Sequence, residues 1–145
     1  KQISDISLVP KNSKFQKLYD NISEEFIPLT NAKDLFIEGE KQHNCVYHGI
    51  YPNDIKRDLC AIFRINLSGY NYTIEIRQNN GQYMLEQLKK TYNEEYDKAD
   101  YSIAITISSQ LSGSYQSACI ARDMFNADKN SLTDEEKAEL KKRLD

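Results

Sequence analysis

Three runs rich in strand formers, Cys60–Leu67, Tyr70–Gln78 and Gln82–Lys89, follow one another with only Ser68-Gly69 and Asn80-Gly81 between them. Links this short leave no room for a crossover helix, so neighbouring strands must run antiparallel, as a β-meander over residues 60–89. Side chains alternate along a strand, so the length of each turn decides which residues share a face. A two-residue turn at Asn80-Gly81 sets Ile76 opposite Leu85 and Glu75 opposite Glu86. A three-residue loop shifts the register by one, and only then does Gln87 share a face with Glu75.

The chain before the meander reads as two helices. Over residues 12–26, Phe15, Leu18, Tyr19, Ile22 and Phe26 recur at helical spacing, with Asn12 or Ser13 as N-cap and Pro28 forcing an end. Over residues 31–48, Thr30 or Asn31 caps a helix whose stripe is Ala32, Leu35, Phe36, Gly39, His43, Val46, Tyr47 and Ile50, and Gly49 and Pro52 end it. Gly39 inside a helix costs about 1 kcal/mol relative to alanine, which points to a close helix-to-sheet contact there. After the meander, Ala104, Ile107, Leu111, Tyr115, Ala118, Ala121 and Phe125 keep one stripe, which predicts a long helix over 98–126 despite the β-branched start at Ile103–Ile107. A capping-box pattern at Thr133 and Glu136 opens a short helix over 134–144.

These elements make an α+β fold: two N-terminal helices, a small three-stranded antiparallel meander, a long C-terminal helix and a short terminal one, in a single domain over 1–145. A chain of 145 residues suffices for one core, and its net charge of −3 argues against a protein built mainly to coat nucleic acid. Cys45, Cys60 and Cys119 are odd in number and widely spaced, which fits a reducing cytoplasm better than a disulfide scaffold. No span suits a membrane. The chain opens on Lys1 rather than methionine, as expected of the trimmed end of a longer protein.

Several spaced pieces between Leu29 and Asn93 occur together: Gly39-Glu40, His43-Asn44-Cys45-Val46, Ala61-Ile62-Phe63-Arg64-Ile65, Thr73-Ile74-Glu75-Ile76-Arg77, Gln87 and Lys90-Thr91-Tyr92-Asn93. In this order they resemble the PcfJ-like family of conjugative plasmids and phages, with Asn44 standing where that family usually has a histidine beside the cysteine. The resemblance implies a mobile-element protein and draws attention to His43, Arg64, Glu75, Arg77, Gln87, Tyr92 and Asn93 as binding residues. A second stretch, Ile105 to Ala118, resembles the strand-loop-helix signature of DegV-type fatty-acid-binding proteins. In that family the serine-rich loop belongs to a lipid-headgroup site, which also needs a large α/β domain.

Three constellations invite chemistry. Cys45 and His48, three residues apart, are helix neighbours that could form a thiolate-imidazole dyad, whereas His43 lies about 200° from Cys45 around a continuous helix. The plainer reading is a packed thiol beside a half-exposed imidazole. Cys45, His48 and Cys60 lack the paired spacing of a zinc site, so no metal is expected, nor any cofactor. Glu75 and Glu86 could raise one another's pKa, but Arg64, Arg77 and Lys89 are placed to neutralise them as a solvated ladder.

The resulting expectation is a non-enzymatic interaction domain of a plasmid or phage protein, cytoplasmic and off the membrane, binding a protein or nucleoprotein partner. One alternative is a cysteine-dependent hydrolase or transferase using Cys45 and His48. The other is single-stranded nucleic-acid binding on a sheet face where Tyr70, Tyr72, Tyr83 and Tyr92 stack bases while Arg64 and Arg77 grip phosphates.

Overall fold

The structure, a computed structural model, describes residues 2–67, 69–91, 100, 103, 104, 106, 107 and 111. Its elements are α1 (Gln16–Asn21), β1 (Ile27–Pro28), α2 (Ala32–Gln42), α3 (Tyr51–Lys56), β2 (Ala61–Leu67), β3 (Tyr70–Asn79) and β4 (Gln82–Lys89). Among the described residues, the expected three-stranded meander with two N-terminal helices and a long C-terminal helix is corrected to three named helices and a four-stranded antiparallel sheet in the order β1-β2-β3-β4. The chain forms two compact units, residues 1–78 with 87–94, and residues 79–86 with 95–145.

The added strand is short. Ile27 and Pro28 pair with Arg64 and Phe63 of β2, and the ladder continues where Leu29 N donates to the Ile62 carbonyl at 2.9 Å. Two residues show no alternation to read, and Pro28, which has no N–H, is tolerated because it sits on the edge.

The helices differ from their sequence spans for local reasons. Within 12–26 only Gln16–Asn21 is helical, because Ile22 turns extended at ψ 149°. Phe15, Leu18 and Phe26 are all buried, so the stripe identified the burial without the length. Asn31 caps α2 as expected, its Oδ1 accepting from Asp34 N at 2.8 Å. The helix stops at Gln42 rather than running to 48, because His43 adopts the left-handed conformation at φ 53°, which closes the helix end with His43 N on the Gly39 carbonyl. A Cβ on Gly39 would lie 3.3 Å from the Asn44 carbonyl oxygen and 3.7 Å from Val46 Cγ1. The close approach is thus by the returning chain, and not by the sheet. Pro52, read as a stop, instead sits in the first turn of α3, where the missing N–H costs nothing.

Both turns of the hairpins behave as their sequences require. Gly69 is at φ 84°, and Asn80 and Gly81 are at φ 53° and 80°, the two consecutive positive values of a two-residue I′ turn. In β4, however, Leu85 and Leu88 are both buried three positions apart. Residues an odd number of positions apart point to opposite sides, so burial reaches both faces of β4.

In the first unit, Ile62 pairs with Glu75 and Arg64 with Thr73, while Phe63 pairs with Ile74 and Ile65 with Tyr72. One face of the sheet therefore presents Phe63, which meets Tyr19 of α1 at 5.6 Å between ring centroids and Phe26 edge-on at 6.2 Å. The opposite face joins a core of Leu29, Leu35, Val46, Ile55, Cys60 and Ile62 beneath α2 and α3. Each fully buried side chain of this kind contributes about 1.5–3 kcal/mol.

In the second unit, Asp100, Ile103, Ala104, Thr106, Ile107 and Leu111 are helical, with Ile103, Ala104 and Ile107 buried. The other positions of the expected 98–126 helix, and all of the 134–144 helix, lie outside the described residues.

A long-range cap ties the start of α1 to the loop before β2. Ser13 Oγ donates to Asp58 Oδ1 at 2.5 Å and Lys14 N donates to Oδ2 at 2.9 Å, with Asp58 itself at φ 60°. Replacing Asp58 by alanine removes both acceptors and leaves a Cβ in a left-handed position, so Asp58→Ala is expected to cost about 1–3 kcal/mol in urea denaturation. Asp58→Gly, which relieves the backbone, should cost less.

Candidate functional site

The alternation of β3 turns Thr73, Glu75 and Arg77 toward α2 and α3, and every one of them meets a polar side chain from the helical layer. Three linked groups result.

The first surrounds Glu38 of α2, only 2% exposed. Thr73 Oγ1 donates to its Oε2 at 2.5 Å, Arg64 Nε lies 3.6 Å from Oε1, and Asn44 Nδ2 donates to Thr73 Oγ1 at 3.3 Å. Asn44 Oδ1 in turn accepts from Val46 N at 3.1 Å, so the segment after α2 is fastened to the sheet. Burial raises the Glu38 pKa, and the Thr73 bond and the positive charges of Arg64 and Lys41 oppose that rise.

The second group centres on Arg77. Its Nε donates to Glu75 Oε2 at 2.5 Å and its Nη2 to Asp54 Oδ2 of α3 at 3.0 Å. Burial alone would lower the guanidinium pKa, but the two carboxylates outweigh it and raise it further.

The third group joins Tyr51, Gln87 and Lys89. The Tyr51 hydroxyl donates to Gln87 Oε1 at 3.4 Å and accepts from Lys89 Nζ at 3.5 Å, and that ammonium sits 5.2 Å from the Tyr51 ring centroid. Burial, with Glu75 adding to it, pushes the Tyr51 hydroxyl up to about 12. Alongside, Gln42 Nε2 donates to the Asn71 carbonyl at 2.8 Å and Gln42 Oε1 accepts from Thr91 Oγ1 at 2.7 Å.

The space these groups enclose is small. A cavity of about 10 Å³ lies among Val46, Tyr51, Thr73, Glu75, Gln87 and Lys89, room for roughly one water. A larger cleft of about 650 Å³ lies elsewhere, between residues 2–5 and the Lys33, Phe36 and Ile37 side of α2, and among the described residues its charged groups are Asp5 and Lys33.

The sequence candidates separate on this frame. Glu75, Arg77 and Gln87 come together, although the turn at Asn80-Gly81 has two residues. Glu75 and Gln87 line the same small cavity beside Tyr51. Arg64 binds Glu38 rather than Glu75. Glu75 finds Arg77, and Glu86 is exposed. Cys45 and His48 are not on a helix; both are exposed, no hydrogen bond joins them among the described residues, and the His48 ring stands edge-on to Tyr47 at 4.9 Å. His43 is exposed in the helix-ending position. Tyr92 and Asn93 lie outside the described residues. The expected stacking face is divided by register. Tyr70 and Tyr72 pair with Leu67 and Ile65 on one side, whereas Arg64 pairs with Thr73 on the other.

Sequence reasoning passed over Glu38, Gln42, Asp54 and Tyr51. A signal existed for the first two: Leu35, Glu38 and Gln42 share one helical stripe and are the buried residues of α2. Asp54 and Tyr51 depended on α3, which had not been expected.

With this geometry in place, comparison with known proteins adds one finding. Residues 77–141 match the DegV family. The model is described as that of an uncharacterised protein family, and the match covers under half of the chain. No curated protein and no solved structure matches, and the PcfJ-like resemblance finds no support among these comparisons. The DegV match includes the Ile105–Ala118 segment but leaves out α2, α3 and β2. The DegV-type signature opens on a strand, whereas Thr106 and Ile107 are helical here.

Two measurements follow from the site. Glu38 has a folded pKa above its unfolded value, so its contribution to stability is complete below the ordinary glutamate range and is lost as pH rises through the folded pKa. Glu38→Gln should therefore flatten the stability-against-pH curve over that window, as read by chemical denaturation. Burial, then the Glu75 charge, pushes the Cys60 thiol up to about 12, whereas Cys45 is exposed. Cys45 should label with a maleimide at least about tenfold faster than Cys60 in the native protein, with the two rates converging in denaturant.

Proposed function

We propose that this chain carries a non-enzymatic interaction module of a mobile-element protein, PcfJ-like over Leu29–Asn93 and working in the cytoplasm, which binds a protein or nucleoprotein partner. The observation that carries the proposal is the state of the polar groups beneath α2 and α3. Glu75 and Asp54 are held by Arg77, Glu38 by Thr73 and Arg64, and the space beside them is about 10 Å³. Acid and base groups fixed to one another around a void of one water have neither the freedom nor the room to act on a substrate. They hold a surface in place. The spaced PcfJ-like pieces supply Asn44, Thr73, Glu75, Gln87 and Thr91 to these hydrogen-bonded groups, which supports a shared scaffold. No described helix is long and apolar enough to cross a membrane.

A second reading has its own observation in the DegV match over residues 77–141, which favours an acyl-chain ligand. Two experiments separate them. Affinity capture from host cytoplasm under gentle conditions should recover one partner in near-stoichiometric amount, and recovering none would tell against an interaction module. Titration with a fluorescent fatty acid should show no saturable binding. Saturation would transfer the function to the 77–141 region.

A further inference from the structure

The structure brings together two short basic runs that the sequence keeps apart. Lys11, Lys14 and Lys17 flank the start of α1, and Lys56 and Arg57 end α3, some forty positions later. The Asp58 carboxylate, next to Arg57, binds Ser13 Oγ at 2.5 Å and Lys14 N at 2.9 Å and so draws the two segments together. All five cations are exposed. Lys11, Lys17, Lys56 and Arg57 make no ion pair among the described residues. Of the acids on these segments, Asp54 is ion-paired with Arg77, whereas Asp58, held by Ser13 Oγ and the Lys14 backbone N, and Asp20, held by Gln16 Nε2, keep their charge, so five cations stand against two carboxylates.

We propose that this patch binds the phosphate backbone of a nucleic acid without reading its sequence. The argument is one of charge complementarity and of what the patch lacks. Protein interfaces are anchored by apolar or aromatic side chains, and membrane-surface segments insert them. Among the described residues, the large exposed apolar side chains are Ile6, Ile27, Ile37, Ile50 and Tyr70, and none of them lies within 11–17 or 56–58. Lysines acting as separate point charges suit a row of phosphates, which positions a polyanion but carries no base readout. The arginines expected to grip phosphates, Arg64 and Arg77, are instead paired with Glu38, Glu75 and Asp54. The overall charge of −3 does not oppose this, because binding responds to the local field. The patch uses residues distinct from the network beneath α2 and α3, and it stands or falls separately from the partner reading.

The test is fluorescence anisotropy of labelled single-stranded and duplex DNA of arbitrary sequence with the full chain over a salt series. Binding should be present at low salt, indifferent to sequence and steeply weakened by salt. Lys56→Glu with Arg57→Glu should weaken it at least about tenfold and lower the log-log salt slope by about 1.5–2, the loss of two phosphate contacts. Lys33→Glu with Lys41→Glu, the same charge change on α2, should weaken it far less. Lys11→Glu with Lys17→Glu repeats the test on the other segment should the first variant fail to fold by thermal melt. Absence of binding at low salt, equal loss in the α2 control, dependence on base sequence, or binding to phosphatidylserine vesicles without binding to DNA would each overturn the proposal.

Discussion

Antiparallel pairing of β2 with β3 decides nearly everything else in the described fold. Once Ile62 faces Glu75 and Arg64 faces Thr73, alternation sends Thr73, Glu75 and Arg77 toward the helices and Tyr72, Ile74 and Ile76 the other way. Tyr72 through Ile76 are buried without interruption, so β3 is covered on both faces. One of those faces carries polar groups, and polar groups out of water must be paired or they destabilise the fold by several kcal/mol. Glu38, Asn44, Asp54 and Tyr51 answer that requirement from four successive places along the helical layer. Their bonds hold α2, the segment through Asn44, and α3 against that face of β3.

The same constraint separates what the sequence disclosed from what it concealed. Strand-forming runs and Asn-Gly or Ser-Gly turns are local signals, so β2, β3 and β4 were legible to within a residue or two. β1 was not, because a two-residue edge strand containing proline is defined only by its partner. α2 was legible in its capped start and not in its end, since a left-handed histidine has no sequence signature comparable to glycine. Of the side chains that meet beneath the helices, Glu75, Arg77 and Gln87 could be singled out along the strand runs, whereas their partners Glu38, Asp54 and Tyr51 could not, because those depend on how α2 and α3 pack. Cys45 and His48 show the opposite error. Their helical spacing was meaningful only while the helix continued past Gln42, and it does not.

The functional picture rests on where charge remains after this internal pairing. Arginines on the sheet are held by carboxylates, whereas cations around Asp58 remain open to solvent. On the proposed reading, the sheet is a rigid support and the surfaces around it make the contacts. Such a division is usual for interaction modules, where binding groups sit on loops and element ends positioned by a stiff scaffold. The match to the DegV family begins at Arg77, inside β3, and continues beyond the network described here.

The central claim is that polar side chains beneath the helices hold one another rather than a substrate. A double-mutant cycle on Glu38→Ala and Thr73→Val, read by urea denaturation, tests it most directly, because both residues are buried and bonded to each other. The account predicts that the two losses are strongly non-additive, with a coupling of about 1 kcal/mol or more. Strictly additive losses would contradict it, and would leave Glu38 as a buried acid kept for some other purpose.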